Sequence, residues 1–184
     1  MAILQIALTG GIAEGKTTVL RALSEFGVRT ASADEIAREV LEDPAVSALV
    51  AQSVGLAEPL DRDELGRAIA ADPAKRRALN SILHPEILAR MIEARADVIE
   101  VPLLVETCLQ GAFRRTWVVT CGHEEQLKRL TRRFGDEGQA LRTLALQLPT
   151  KVKCAFADRI IRTDRPIDSV VSDVRELARP GSAL

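Results

Sequence analysis

The chain has 184 residues, of which 47% are hydrophobic, and this length and composition favour one compact domain and exclude a disordered chain. Its 25 lysine and arginine residues are balanced by 26 aspartate and glutamate residues, giving a formal net charge of -1. This balance supplies no global basic field, so it argues against a nucleic-acid partner and favours small-molecule partners. We expect a monomer or a weak homo-oligomer.

The cysteine content and the N-terminus indicate the compartment. Three widely spaced cysteines suit neither a disulfide framework nor a zinc site, and we expect buried or unreactive thiols in a reducing environment: Cys108, Cys121 and Cys154. No leader with a basic start and a cleavage site precedes the first apolar run, and no apolar run reaches about 18 residues. A cytoplasmic location without a membrane partner is therefore expected.

The first motif of the chain is a glycine-rich loop that follows an apolar run. The run, residues 3–8, predicts a strand, and residues 8–18 read LTGGIAEGKTT, which contains the phosphate-binding P-loop pattern G-x-x-x-x-G-K-S/T. In this pattern Lys16 reaches the β- and γ-phosphates and Thr17 offers a hydroxyl to Mg²⁺, at the start of a predicted helix. The residues expected to bind the nucleotide are Gly10, Gly11, Ala13, Glu14, Gly15, Lys16, Thr17 and Thr18.

Short apolar runs with strand character recur along the chain and are separated by segments with helical periodicity. They cover residues 3–8, 28–31, 98–101, 116–120 and 159–161. The alternation predicts an α/β fold built on a doubly wound, five-stranded parallel sheet with helices on both faces. The carboxyl ends of parallel strands share one edge with the P-loop, so the residues that follow each strand are the candidates for chemistry.

The predicted organisation is a single unit, residues 1–184, with two helical stretches inside it. Residues 43–96 lack a convincing strand and are expected to form a helical insertion that holds the second substrate. Residues 123–155 are helical and rich in lysine and arginine, which indicates a lid. The α/β core takes the rest, about 1–42, 97–122 and 156–180.

Within the insertion, Asp61 and Asp72 are typical helix N-caps, the latter directly before Pro73. His84 precedes Pro85, which predicts a boundary between helices at this point. A single histidine without a second ligand nearby argues against a metal site. His84 is therefore either a substrate contact or a capping residue.

Asp34 is the candidate catalytic carboxylate. It follows the second predicted strand, where a parallel sheet returns the chain to the P-loop edge, and phosphoryl transfer needs a carboxylate that orients or deprotonates the attacking hydroxyl. The alternative is an N-cap for a helix over residues 35–41, and the residues alone favour both equally.

Three arginines of the lid share one helical face: Arg129, Arg132 and Arg133. Three guanidinium groups on one face repel one another unless an anion lies opposite, which favours a bound triphosphate. The alternative is a solvated basic face paired with Glu124 and Glu125.

Around the third strand, Glu100 is a candidate Mg²⁺ partner through water, and Glu106 is a candidate for assisting the metal or the acceptor. Either could instead start a helix.

The chain resembles the dephospho-coenzyme A kinase family from about residue 6 to residue 161. The resemblance is carried by segments that occur in the family's order: LTGGIAEGKTT, SADEIAREV at 32–40, LHP at 83–85, VPLLVE at 101–106, and Gln147 with Lys153 and ADRII at 157–161. It implies transfer of the γ-phosphoryl group of ATP to the 3′-hydroxyl of dephospho-CoA, with Mg²⁺. The product is coenzyme A, so this is the final step of its biosynthesis.

The same resemblance implies roles for individual residues. Asp34 is the catalytic carboxylate, Lys16 and Arg129 act on the phosphates with Arg133 beside them, and His84 and Glu106 hold the acceptor. Another small P-loop kinase, acting on a nucleoside monophosphate or other metabolite, fits the same architecture, and so does a non-catalytic module that binds ATP or coenzyme A.

The chain departs from the family's usual pattern at several positions. A small residue is usual where Glu14 stands, and we expect its carboxylate to point outward, away from the phosphates. Ser32 and Glu100 each replace a usual aspartate, and residues 162–165 replace an asparagine and glycine segment near the adenine. We expect a divergent but active enzyme.

Overall fold

A computed structural model describes residues 4–179 of the chain. Within them, five parallel strands form one sheet in the order β2-β3-β1-β4-β5, which confirms the predicted fold class. The strands are β1 (Leu4–Thr9), β2 (Thr30–Ser32), β3 (Val98–Glu100), β4 (Phe113–Thr120) and β5 (Arg159–Arg162). Ile3, the first residue of the first predicted strand, lies outside the described residues.

Nine α-helices are present in the same part of the chain. They are α1 (Lys16–Glu25), α2 (Ala33–Glu42), α3 (Pro44–Val54), α4 (Arg62–Ala71), α5 (Pro73–Glu93), α6 (His123–Phe134), α7 (Glu137–Ala145), α8 (Thr150–Lys153) and α9 (Ile167–Leu177).

The described chain divides into two units. A sheet unit contains residues 4–32 and 95–179, and a helical unit contains residues 33–94. The sequence boundary at residue 42 differs from this division, because α2 packs with α3 and α5 and so belongs with the helical unit.

The core of the sheet unit surrounds the two central strands. Leu8, Val19 and Trp117 are fully buried, and α1 and α9 pack against each other beside them. Parallel strands covered on both faces bury nearly every residue, which explains their continuous apolar sequences. Gly10 ends this core at the P-loop, where a Cβ would lie 2.4 Å from the backbone oxygen of Val119 and φ is 152°. Only glycine fits there.

The helical unit has its own small core, in which Val50, Val54 and Leu79 are buried. Asp61 caps α4 by accepting a hydrogen bond from the Glu64 N–H at 2.7 Å, and Asp72 caps α5 in the same way, as predicted.

The predicted helix boundary at Pro85 is wrong, because α5 runs through it without interruption. Proline removes one backbone hydrogen bond from a helix interior. Buried Leu79 and Met91 on either side of the proline anchor the helix and offset that loss. Among the described residues, none of the helices has the length and apolarity needed to cross a bilayer.

The three cysteines are free thiols with different environments. Cys121 is buried and Cys154 half-buried, but Cys108 is exposed, so of the two expected alternatives only an unreactive thiol is left for Cys108. Burial raises the pKa of the Cys121 thiol to about 11 and also raises the pKa of Cys154.

Alkylation by iodoacetamide at about pH 8 is expected to modify Cys108 long before Cys121. At that pH only about one thiol in a thousand at Cys121 would be the reactive thiolate, and its burial limits access further. Peptide mapping by mass spectrometry over time measures the two rates, and equal rates would contradict the burial of Cys121.

Candidate active site

The P-loop ends at the start of α1 and is a candidate anion-binding site. Gly15 adopts a left-handed conformation with φ of 91° and leads directly into Lys16, the first residue of the helix. The Lys16 ammonium group spans the loop and donates a hydrogen bond to the Gly11 carbonyl at 2.9 Å. Thr17 lies exposed in the first turn. The N–H groups of a helix N-terminus and a lysine are thereby brought together, as phosphate binding requires.

The side chain of Glu14 is buried against the loop, so the expectation that it points outward is wrong. Only 1% of the residue is exposed. Its carboxylate accepts hydrogen bonds from the Gly11 N–H at 2.7 Å and from the Thr120 hydroxyl at 3.0 Å. These two donors compensate the loss of water around the carboxylate, which is why the loop accommodates it.

Helix α6, in the segment predicted to form a lid, contributes Arg129, which contacts the P-loop. Its guanidinium donates to the carbonyl oxygens of Thr163 at 2.6 Å and Ala13 at 3.4 Å, and it pairs with Glu125 at 3.0 Å. The other predicted lid arginines, Arg132 and Arg133, are exposed, and Arg133 lies 5.9 Å from the ring centre of Phe134.

A cavity of about 250 Å³ adjoins the first turn of α1 and the side chain of Arg129. Thr163 and Arg165, from the segment that follows β5, line its other side, and Ile167 supplies an apolar wall. Because it adjoins the phosphate loop, the cavity is a candidate site for the nucleotide base.

The loop after β3 is held by a buried ion pair. Lys153 is fully buried, and its ammonium nitrogen lies 2.8 Å from Glu106 Oε1 and donates to the Pro102 carbonyl at 2.8 Å. The Leu148 N–H also donates to Glu106 Oε1, at 3.2 Å, and the Thr9 hydroxyl to the Pro102 carbonyl, at 3.3 Å. Glu106 Oε2 is buried and has no hydrogen-bond partner within residues 4–179.

The Lys153→Met variant is expected to lose about 3 kcal/mol of unfolding free energy, the lower end of the range for a buried pair, because Glu106 loses its cation while its side chain is only 20% exposed. Urea unfolding followed by circular dichroism measures the loss. The double variant Lys153→Met with Glu106→Gln removes both charges and is expected to recover most of the stability. Equal stability of the single variant and the unchanged protein would contradict the buried ion pair.

The remaining candidates lie at the sheet edge or in the helical unit. Glu100 ends β3 in register with Leu8 and Ser32, at the carboxyl edge of the sheet. Asp34 is exposed in the first turn of α2, which begins at Ala33, so the alternative that Asp34 is the N-cap is wrong. His84 is exposed in the interior of α5.

Comparison with known proteins decides the family. The family model described as dephospho-CoA kinase matches residues 4–169. The chain belongs to the dephospho-CoA kinase family. It is 40% identical over 174 residues to the dephospho-CoA kinase of Geobacter metallireducens, covering 86% of this chain and 87% of the relative. It is 36% identical over 181 residues to that of Carboxydothermus hydrogenoformans, covering 89% and 87%.

A solved structure of a Thermus thermophilus protein has the same fold, with a TM-score of 0.78, 25% identity and coverage of 96% of this chain and 97% of the other. The chain is therefore a P-loop kinase, an enzyme that uses ATP and Mg²⁺.

Within the sheet unit of this dephospho-CoA kinase family member, the structure brings the P-loop and Arg129 together. Three residues that hold the P-loop are not predictable as such from local sequence: Gln126, Gln147 and Thr163. The same is true of Lys153, which holds the loop after β3. Gln147 and Lys153 belong to a segment of the family resemblance, which by itself gives them no contact. Gln126 and Thr163 are polar residues with no local pattern that distinguishes them from surface positions.

Proposed function

We propose that this chain transfers the γ-phosphoryl group of ATP to the 3′-hydroxyl of dephospho-CoA, which yields coenzyme A and ADP. The observation that carries the proposal is the contact of the lid Arg129 with the Ala13 carbonyl of the P-loop, in a chain of this family. Phosphoryl transfer depends on positioning and on neutralisation of phosphate charge, and these two elements supply both.

The nucleotide phosphates are proposed to bind at the P-loop, on the N–H groups of residues 13–18 and on Lys16. Arg129 neutralises charge that develops on the transferred group, and exposed Arg133 is a proposed second cation for the phosphates. The adenine is assigned to the cavity lined by Thr163, Arg165 and Ile167. This segment differs from the family's usual one, so the base is held there by different side chains.

The oxygen donors of the site fit Mg²⁺. This ion takes six oxygen ligands, most of them water and substrate phosphate, with one or two from the protein. The exposed Thr17 hydroxyl follows Lys16 directly, and Glu100 at the sheet edge is a proposed partner through water. When bound, Mg²⁺ neutralises charge on the β- and γ-phosphates.

The acceptor is proposed to use three residues. Asp34 accepts the proton of the 3′-hydroxyl while that oxygen bonds to the γ-phosphorus and the bond from this phosphorus to ADP breaks. The Asp34 carboxylate accepts no hydrogen bond within residues 4–179, which leaves it available. His84 and Glu106 are proposed to hold the acceptor, and the unpartnered Glu106 Oε2 supplies a hydrogen-bond acceptor.

An ADP-release assay with Mg²⁺ and ATP tests the proposal. Release that requires dephospho-CoA and produces coenzyme A is the expected result. The parallel reactions contain a panel of nucleoside monophosphates, or no acceptor. Turnover on a monophosphate alone would favour a different small P-loop kinase, and ATP binding without any turnover would favour a non-catalytic module.

We further propose that the enzyme acts in the cytoplasm as a monomer or a weak homo-oligomer. The composition of the chain and its small substrates support this assignment. Sedimentation of the purified protein at several concentrations tests the assembly, and cell fractionation tests the location.

A further inference from the structure

Three consecutive carbonyl groups of the P-loop are held by side chains from outside the loop. The Gln126 amide donates to the Ile12 carbonyl at 2.9 Å, Arg129 donates to the Ala13 carbonyl at 3.4 Å, and the Thr163 hydroxyl donates to the Glu14 carbonyl at 2.7 Å. Gln126 is 5% exposed, so its side chain is a buried polar group committed to this contact.

The direction of each carbonyl determines the direction of the N–H group that follows it. A peptide unit is planar and trans, so its C=O and N–H point to opposite sides. Holding the Ile12 carbonyl toward α6 therefore aims the Ala13 N–H away from α6. The same argument applies to the next two peptide units, whose N–H groups belong to Glu14 and Gly15.

The peptide unit before Ile12 has the opposite arrangement. Its N–H, on Ile12, donates to Gln147 Oε1 at 3.1 Å, and its carbonyl, on Gly11, accepts from the Lys16 ammonium at 2.9 Å. Two lid glutamines thus hold the peptide units on both sides of Ile12. One acts as a donor and the other as an acceptor.

The backbone at the next residue needs this support. Ala13 has φ of 62°, a left-handed conformation that is unfavourable for a residue with a Cβ. Such conformations persist where the surrounding contacts over-determine them. Alternating backbone conformations of this kind point successive N–H groups toward one side, where an anion binds.

We propose that Gln126 is a positioning residue for phosphate binding: its hydrogen bond to the Ile12 carbonyl aims the Ala13 N–H at the phosphates of ATP. Gln147 complements it by orienting the preceding peptide unit, whose carbonyl contacts Lys16. The inference rests on the proposed function only in that the loop binds ATP. The hydrogen bond from Gln126 couples the lid to the geometry of the P-loop.

Three glutamine-to-glutamate variants of the lid test the proposal, because each adds one charge but only one removes a required donor. Gln126→Glu loses the donor to Ile12, and we expect MgATP affinity and kcat/KM for ATP to fall at least about tenfold. Gln147→Glu keeps the acceptor to the Ile12 N–H and is expected to lose clearly less MgATP affinity than Gln126→Glu. Gln139→Glu, at an exposed position of α7, is the control for added charge and is expected to have no effect.

The KM for dephospho-CoA separates positioning from general damage to the fold. It is expected to stay within about threefold in Gln126→Glu, whereas a merely structural defect would move both substrates. Equal losses in Gln126→Glu and Gln147→Glu, or normal MgATP binding by Gln126→Glu, would overturn the proposal.

If Gln126→Glu does not fold, Gln126→Met replaces it as the test, since methionine removes the hydrogen-bond donor without adding a charge. Weakened MgATP binding with retained circular dichroism is expected, and normal binding would overturn the inference. Calorimetric MgATP titration needs no acceptor. Failure of dephospho-CoA turnover in the unchanged protein would therefore count against the proposed function and leave this comparison intact.

Discussion

Asp34→Asn is expected to lower kcat by about 10²- to 10⁴-fold, the range that a positioned general base contributes. The variant keeps the shape of the side chain but removes the carboxylate that is proposed to accept the proton of the 3′-hydroxyl. Asp34 is exposed in the first turn of α2, so the substitution removes no core packing and the fold is expected to survive. Asp34→Ala is expected to abolish transfer for the same reason. Steady-state ADP release with dephospho-CoA measures both.

Glu35→Gln is the matched control, because Glu35 is the adjacent exposed carboxylate in the same turn of α2. It is expected to leave kcat within about threefold, since a first-turn carboxylate contributes mainly to the helix dipole interaction. MgATP affinity is expected to be nearly unchanged in both Asp34 variants. Near-normal turnover by Asp34→Asn would refute the assignment of the general base.

Strands β1, β3 and β4 could be predicted from the sequence because most of their residues are buried and therefore appear as apolar runs, whereas the edge strands β2 and β5 are mostly half-buried or exposed. The predicted ends of the strands are less accurate where exposed residues interrupt the apolar pattern. β4 begins at Phe113, three residues before the predicted strand, because Arg114 and Arg115 are exposed within it and interrupt the apolar pattern. The uninterrupted α5 was missed for a different reason, since tertiary packing of Leu79 and Met91 outweighs the local effect of Pro85.

The P-loop was predictable because its chemistry depends on a fixed local spacing of glycine, lysine and threonine. The residues that support it were not, because their partners are distant in sequence. The buried pair of Lys153 and Glu106 appears in the sequence as two ordinary charged residues. Glu14 was expected to avoid the loop because of its charge, and only the positions of the Gly11 N–H and the Thr120 hydroxyl explain its burial.

Lys16→Met is the second variant with a large expected effect. It is expected to lower kcat at least about 10²-fold and to raise the KM for ATP, because the ammonium group is proposed to contact the β- and γ-phosphates in both the bound state and the transition state. The Gly11 carbonyl also loses a hydrogen-bond donor at 2.9 Å, so part of the effect arises from the loop itself. Calorimetric MgATP titration and steady-state kinetics measure the two parts of this prediction.

Lys128→Met provides the control for the removal of one positive charge. Lys128 lies on α6 with 61% of its side chain exposed and pairs with Glu124, away from the P-loop contacts. Its kinetic constants are expected to stay within about twofold, as for most exposed ion pairs. Unchanged MgATP binding and turnover in Lys16→Met would remove the basis for placing the phosphates at the P-loop. A loss in Lys16→Met with normal Lys128→Met kinetics would instead show that the position of the charge, and not its number, determines catalysis.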